Sequence, residues 1–171
     1  MFASDVHGSA YYCRKMLEAY DKEKAERLVL LGDLLDLPKE YAPKEVIRLL
    51  NERKNQIYAV RGNCEAEVDQ MVLDFPVMAD YCILAIEGKT MYATHGHIYN
   101  KDNLPPMMDG DILIHGHTHV LKAENMGNYI LLNPGSVSIP KEGNPPTYAI
   151  LENGIFTIKD FEGNTVREIT L

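Results

Sequence analysis

Five times along this chain a short apolar run breaks off into the same kind of polar punctuation. The breaks are Asp5-Val6-His7, Gly32-Asp33, Gly62-Asn63, His95-Gly96-His97 and Gly116-His117-Thr118-His119. Apolar runs of this length, rich in β-branched residues and Leu, read as buried strands. Each motif therefore sits where a strand passes into a loop, which in α/β sheets is the edge where ligands bind. All six histidines lie in or directly beside these motifs, and none falls in the intervening helical or C-terminal segments. The clearest case is Ile112-Leu113-Ile114-His115-Gly116-His117-Thr118-His119. Residues two apart on an extended chain face the same side, so His117 and His119 are able to address one point.

The order of elements narrows the fold class to α/β. A strand ending at Ser4 delivers Asp5 and His7, and Ser9 is placed to cap a helix running to about Tyr20 with Met16, Leu17 and Tyr20 on its apolar face. Arg27 to Leu31 is a second strand. Pro43 suits the first turn of a helix carrying Val46, Ile47 and Leu50. Gln56 to Val60 is a third strand, followed by a short helix from about Glu65 to Leu73. This β-α-β-α-β-α order implies parallel strands joined by right-handed crossovers. The remainder reads as hairpins. Strands at Tyr81–Ile86 and Thr90–Thr94 flank Glu87-Gly88-Lys89, and further turns lie at Met126-Gly127-Asn128, Asn153-Gly154 and Glu162-Gly163-Asn164. No repeat or interdomain linker interrupts residues 1–171, so one domain is expected: a sandwich of two mixed β-sheets flanked by helices.

Composition excludes several classes of partner. The net charge is −8 without a Lys/Arg-rich run, which disfavours nucleic acid and anionic membrane surfaces. No apolar run reaches membrane-spanning length and no leader precedes the first motif. Cys13, Cys64 and Cys82 are odd in number and lack C-x-x-C spacing, so a disulfide framework is not expected and a cytoplasmic location fits. Hydrophobic hairpins leave a homodimer or homotetramer open.

Taken singly, Asp-x-His, Gly-Asp and Gly-Asn are common turn and cap sequences. Taken together they assemble carboxylates, imidazoles and a carboxamide without a thiolate. Such an O/N set suits Mn, Fe, Zn, Ni or Co more than a structural zinc site. Seven donors are too many for one ion and suit two that share a carboxylate. A pair of divalent ions roughly 3.5–4 Å apart activates a bridging hydroxide and stabilises in-line displacement at phosphorus.

The ordered set Asp5-x-His7, Gly32-Asp33, Gly62-Asn63, His95-Gly96-His97 and Gly116-His117-x-His119 resembles the calcineurin-like metallophosphoesterase superfamily. Phe2-Ala3-Ser4-Asp5, Val60-Arg61-Gly62-Asn63-Cys64, Glu67-Val68-Asp69-Gln70-Met71 and Asn133-Pro134-Gly135-Ser136-Val137-Ser138-Ile139-Pro140 resemble its YfcE-type bacterial phosphodiesterase branch. The resemblance implies one metal held by Asp5, His7, Asp33 and His119. It implies a second held by Asp33, Asn63, His95 and His117, with Asp33 bridging. It also implies manganese as the supporting ion and a small phosphodiester as substrate, with Asp33, Asn63 and His97 as the catalytic set. For His97 two readings stand, contact with the substrate phosphate or a hydrogen bond that orients its neighbours. His115 is expected to be structural. Asp36 is placed either to hold a ligand histidine in its tautomer or to be a helix cap or surface carboxylate.

The chain departs from the family pattern in three places. Cys64 occupies the position where many phosphomonoesterases of the superfamily carry a proton-donating histidine, which favours leaving groups that need little protonation. Glu65 stands where close relatives have aspartate, and the stretch Leu37–Ala42 is shorter than its counterpart. The competing functions are a phosphomonoesterase or nucleotidase with the same metals, and a non-catalytic scaffold of the same fold. The filled ligand positions weigh against the scaffold.

Overall fold

The computed structural model describes residues 1–35, 43–86 and 88–171. Asp36 and the stretch Leu37–Ala42 lie outside the described residues, as does Glu87. The first half winds as its apolar periodicity predicts. Strands β1 (Phe2–Ala3), β2 (Leu28–Leu30) and β3 (Ile57–Ala59) run parallel, with Phe2 opposite Val29 and Leu28 opposite Ile57. Helices α1 (Ala10–Lys22), α2 (Lys44–Asn51) and α3 (Glu67–Val72) follow them in turn. Ser9 caps α1 by accepting from Tyr12 N. Pro43 proves to be the N-cap of α2, one residue earlier than the first-turn placement expected for its locked φ.

The second half supplies β4 (Tyr81–Ile86), β5 (Lys89–Thr94), β6 (Ile112–Ile114), β7 (Lys122–Asn125), β8 (Ile130–Asn133), β9 (Thr147–Glu152), β10 (Ile155–Asp160) and β11 (Thr165–Thr170). Two mixed sheets result, in the orders β11-β10-β9-β1-β2-β3 and β4-β5-β6-β8-β7. Strand β9 returns to pair antiparallel with β1, placing Ala149 opposite Phe2 and closing the first sheet across a long sequence separation. Lys89 pairs with Ile86 and so belongs to the strand rather than to the turn where the sequence placed it.

Between the sheets lies one apolar layer. Phe2, Val29, Leu31, Ala149, Phe156 and Ile158 of the first sheet meet Met91, Ala93, Ile112, Ile114, Ile130 and Leu132 of the second. A second cluster lies on the outer face of the six-stranded sheet, where Cys13, Met16, Leu17 and Tyr20 of α1 and Val46 and Leu50 of α2 pack over Ala3, Leu28 and Leu30. The helical flanking is one-sided among the described residues. The outer face of the other sheet buries Tyr92, Leu113, Tyr129 and Leu131 beneath Met107 of the β5–β6 loop, and Tyr92 Oη donates to Pro106 O at 2.7 Å. That loop joins parallel strands without a crossover helix, because its residues form turns around Asn100 and Asn103 instead. No helix among the described residues is long and apolar enough to cross a membrane. Burial pushes the thiols of Cys13 and Cys82 up to about 12 and about 11, so both behave as small hydrophobes.

Phe156 is fully buried and its ring sits 5.9 Å from that of Phe2 across adjacent positions of the inter-sheet core. Phe156→Ala is expected to cost about 3–5 kcal/mol of unfolding free energy. Urea denaturation followed by circular dichroism checks this, and a loss below about 1 kcal/mol would contradict the assigned core.

Candidate metal centre

The parallel register brings the five punctuating motifs to one end of the sandwich. Asp5, Asp33 and Asn63 follow β1, β2 and β3, while His95 and His117 follow β5 and β6, which are parallel neighbours in the other sheet. Backbone hydrogen bonds knit the loops: Asp5 N to Gly32 O at 3.1 Å, His7 N to Asp33 O at 2.9 Å and Gly116 N to His95 O at 2.8 Å. Asp5, His7, Asp33, His117 and His119 all have φ between 46° and 64°. Non-glycine residues rarely occupy this left-handed region, and such strain collects at functional sites. At Gly116 no side chain fits, since a Cβ would stand 1.8 Å from Ser4 Oγ and 2.8 Å from Asp5 Oδ2.

The side chains assort into two neighbouring groups. Donor atoms of Asp5, His7 and His119 all lie within 4.8 Å of one another, and so do those of Asp33, His95 and His117. In the first group His119 Nε2 is 3.2 Å from Asp5 Oδ1, and His7 Nε2 is 3.8 Å from the same oxygen and 3.4 Å from His119 Nε2. In the second, His95 Nε2 is 3.4 Å from Asp33 Oδ2, 3.1 Å from Asn63 Oδ1 and 3.2 Å from His117 Nδ1. Asp33 Oδ2 also lies 3.9 Å from His7 Nε2, which leaves this carboxylate between the groups.

Protons are arranged to leave lone pairs facing inward. His95 Nδ1 meets Leu31 O at 2.6 Å and His119 Nδ1 meets Ile139 O at 2.8 Å. A backbone carbonyl only accepts, so each Nδ1 carries the proton and each Nε2 presents a lone pair to the site. Asp5 Oδ1 is buried and takes no hydrogen bond, although His119 Nε2 stands at ion-pair distance. A buried anionic oxygen without a proton donor, facing imidazole lone pairs, is the environment a divalent cation satisfies. Among the described residues, the basic groups at ion-pair distance from Asp5 and Asp33 are imidazoles only.

The remaining sequence candidates fall around this pair of groups. His97 stacks beside His95 with ring centroids 5.4 Å apart and lies 6.4 Å from His117; its Nδ1 is buried without a hydrogen-bond partner. His115 is buried, its Nδ1 meets Gly116 O at 3.0 Å, and it supports the turn instead of facing the ligands. Asp36 lies outside the described residues, so neither of its readings is tested. One feature escaped the sequence reading. Cys64 Sγ joins His7 and Asp33 within 4.8 Å, so the residue considered only as an acid is also a potential donor atom. The loop from Asn133 buttresses the site: Ser136 Oγ and Ser138 Oγ each donate to Asp5 O at 3.0 Å, and Asn133 Nδ2 donates to Gly116 O at 2.9 Å.

The imidazoles differ in proton affinity. Burial lowers it for His95, but the hydrogen bond to Asp33 and the charges of Asp5 and Asp33 outweigh this and raise its pKa above 6.5. The Asp5 carboxylate beside it raises that of His119 in the same direction. Burial first, and neighbouring imidazoles next, lower His97 and His117 below 6.5, and burial dominates in lowering His115. Asp33 is opposed by burial, yet hydrogen bonds and the charge of His95 hold it well below the usual carboxylate range.

The imidazole contribution to the stability of metal-free protein should therefore peak near pH 6.5, on top of a rise toward pH 8 from the buried Met1 amino group, whose pKa burial lowers to about 6. Below that value the depressed imidazoles bind protons more tightly in the unfolded chain, so stability falls as the pH falls. Above it, His95 and His119 lose protons that the folded state had held more tightly, so their contribution falls as the pH rises through their folded values. Urea titrations in chelator between about pH 5.5 and 8, bracketing the ordinary histidine pKa, check this. A His119 contribution, taken as metal-free wild type minus His119→Asn, that grows above pH 6.5 would contradict it.

Comparison with known proteins places the chain. Residues 1–154 match the family model described as the calcineurin-like phosphoesterase superfamily domain. The chain is 44% identical over 164 residues to the phosphodiesterase YfcE of Escherichia coli K12, covering 92% of this chain and 89% of that one. It is 26% identical over 176 residues to the phosphodiesterase MJ0936 of Methanocaldococcus jannaschii, covering 98% and 96%. The solved structure of E. coli YfcE, a phosphoesterase, superposes with a TM-score of 0.94 and 40% identity over 99% of this chain and 97% of that one. The Vps29 structure from Cryptosporidium parvum superposes with a TM-score of 0.64 and 18% identity over 99% and 96%, a likeness of fold alone. From its fold, its donor groups and these matches together, the chain belongs to the calcineurin-like phosphoesterase superfamily.

Proposed function

We propose that this protein is a metal-dependent phosphodiesterase acting on small phosphodiesters, built as one domain over residues 1–171. The observation that carries the reading is the place of Asp33, a buried carboxylate of one donor group whose Oδ2 also lies 3.9 Å from His7 Nε2 of the other. The 44% identity to a relative named a phosphodiesterase supports the reaction class. The family implies divalent metals, and the buried O/N donor set fits them.

In this reading Asp5, His7, Asp33 and His119 hold one ion and Asp33, Asn63, His95 and His117 hold the other, Mn2+ being the resident metal. When bound, the ions supply positive charge for phosphoryl oxygens and make water acidic enough to serve as a nucleophile near neutral pH. The residues of the chain do the rest. The carbonyls of Leu31 and Ile139 keep His95 and His119 in the tautomer whose Nε2 faces the site. Asn63 Oδ1 stands 3.1 Å from His95 Nε2, so both lone pairs face the same point. His97, lowered in pKa and beside His95 and His117, is a neutral donor at the mouth of the site and contacts a phosphoryl oxygen of the substrate.

The position after Asn63 supports a diester over a monoester. Cys64 N donates to Asp33 Oδ1 at 2.9 Å, which fixes the residue close to the donor groups. A thiol there is a weaker proton source than an imidazole, and diesters with good leaving groups need less protonation.

Asp33→Asn should leave the fold intact and lower kcat/KM on an activated aryl phosphodiester by more than ~100-fold, beyond the range usual for residues that only support ligands. Turnover by the wild type should vanish on chelation and return with Mn2+. Undiminished turnover in Asp33→Asn, or equal rates on the matched aryl phosphomonoester, would overturn the proposed activity.

A further inference from the structure

We propose that Glu65 is a positioning residue whose carboxylate clamps the loop bearing Asp33 to the loop bearing Asn63, and so sets how tightly both hold metal. The proposal rests on the reading of Asp33 and Asn63 as metal ligands. Glu65 immediately precedes Ala66, the N-cap of α3, yet its side chain turns away from that helix. It reaches instead across to residues 31 and 32 positions earlier in the chain. Oε2 accepts from Asp33 N at 2.9 Å and from Gly62 N at 2.5 Å, while Oε1 accepts from Leu34 N at 2.6 Å. Asp33 answers by accepting at Oδ1 from Cys64 N at 2.9 Å. Four hydrogen bonds thus tie together the chain on either side of Asp33 and Asn63.

Nothing else is able to fill the space between these loops. A Cβ on Gly62 would lie 2.1 Å from Asp33 Oδ1 and 2.8 Å from Glu65 Oε2. The two backbones approach closely at Gly62, where no side chain intervenes. Asp33 sits at φ 53°, a conformation that needs surrounding structure to maintain it. A charged acceptor shared by N–H groups on both loops is a strong and directional way to do so. Glu65 is itself 9% exposed, so its charge also adds to the negative potential beside Asp5 and Asp33.

The substitution Glu65→Gln tests this directly. An amide has one acceptor oxygen, and its NH2 group would face a backbone N–H that has lost its partner. Mn2+ titrated calorimetrically into metal-free protein is expected to bind Glu65→Gln about 10- to 100-fold more weakly than wild type. Glu65→Asp, one methylene shorter with the charge kept, is expected to fall between them. The control is Glu23→Gln, which breaks a comparable carboxylate network of Lys159 Nζ and Tyr148 Oη, both at 2.9 Å, away from the donor groups. It should keep wild-type Mn2+ affinity. Wild-type affinity in Glu65→Gln, or an equal loss in Glu23→Gln, overturns the proposal. If Glu65→Gln does not fold, Glu65→Asp decides: about threefold or more weakening supports the clamp, and unchanged affinity overturns it. A wild-type protein that binds no Mn2+ removes the ligand reading and the clamp with it, whereas wild-type binding with an unaffected Glu65 variant removes the clamp alone.

Discussion

Two carboxylates buried at the same end of the sandwich, Asp5 at 0% and Asp33 at 2% exposure, govern the rest of this structure. Burying an ionised carboxylate is costly unless a partner compensates for lost water. Asp33 receives the backbone N–H of Cys64 and the proximity of His95, which keep it ionised. Asp5 Oδ2 receives His117 N at 3.1 Å, while Oδ1 receives no hydrogen bond. With no lysine or arginine at ion-pair distance among the described residues, the compensation left open is a cation held between carboxylates and imidazoles. An anionic phosphodiester would need the same cations, because the chain's own net charge of −8 opposes it.

The fold supplies rigidity for that arrangement. Five candidate ligands adopt left-handed backbone conformations, each of which stores strain. Packed strands offset this from below, with Ala3, Leu30, Ala93 and Ile114 buried directly under the loops. The Asn133–Ile139 segment offsets it from the side by bonding Asp5 O, Gly116 O and His119 Nδ1. The sequence stretch from Ile112 to His119 is therefore one half of a two-sided construction. His117 joins the Asp33 group and His119 the Asp5 group, although they are two residues apart.

What was legible in the sequence was local. Apolar runs ending in Asp, Asn or His mark strand ends because a parallel strand buried on both faces has only its termini to spare for polar residues. The family motifs did the rest for the mixed two-sheet architecture. What was not legible depends on distant partners. Glu65 reads in sequence as the start of a helix, and only its contacts 31 and 32 residues away show its use. The outer face of the five-stranded sheet is covered by the β5–β6 segment, with Met107 and a Tyr92–Pro106 hydrogen bond, and periodicity cannot announce a cover made of turns. Cys64 was weighed as an acid because that was the role of its position elsewhere, while its distance to His7 and Asp33 is a matter of loop geometry.

The central claim is that two cations share Asp33. Anomalous diffraction at the manganese edge, from crystals grown with Mn2+, tests it most directly. The account predicts two peaks per chain, roughly 3.5–4 Å apart, with Asp33 between them. One should be bounded by Asp5, His7 and His119 and the other by Asn63, His95 and His117. A single peak, or two peaks of which either lies out of reach of Asp33, would contradict it.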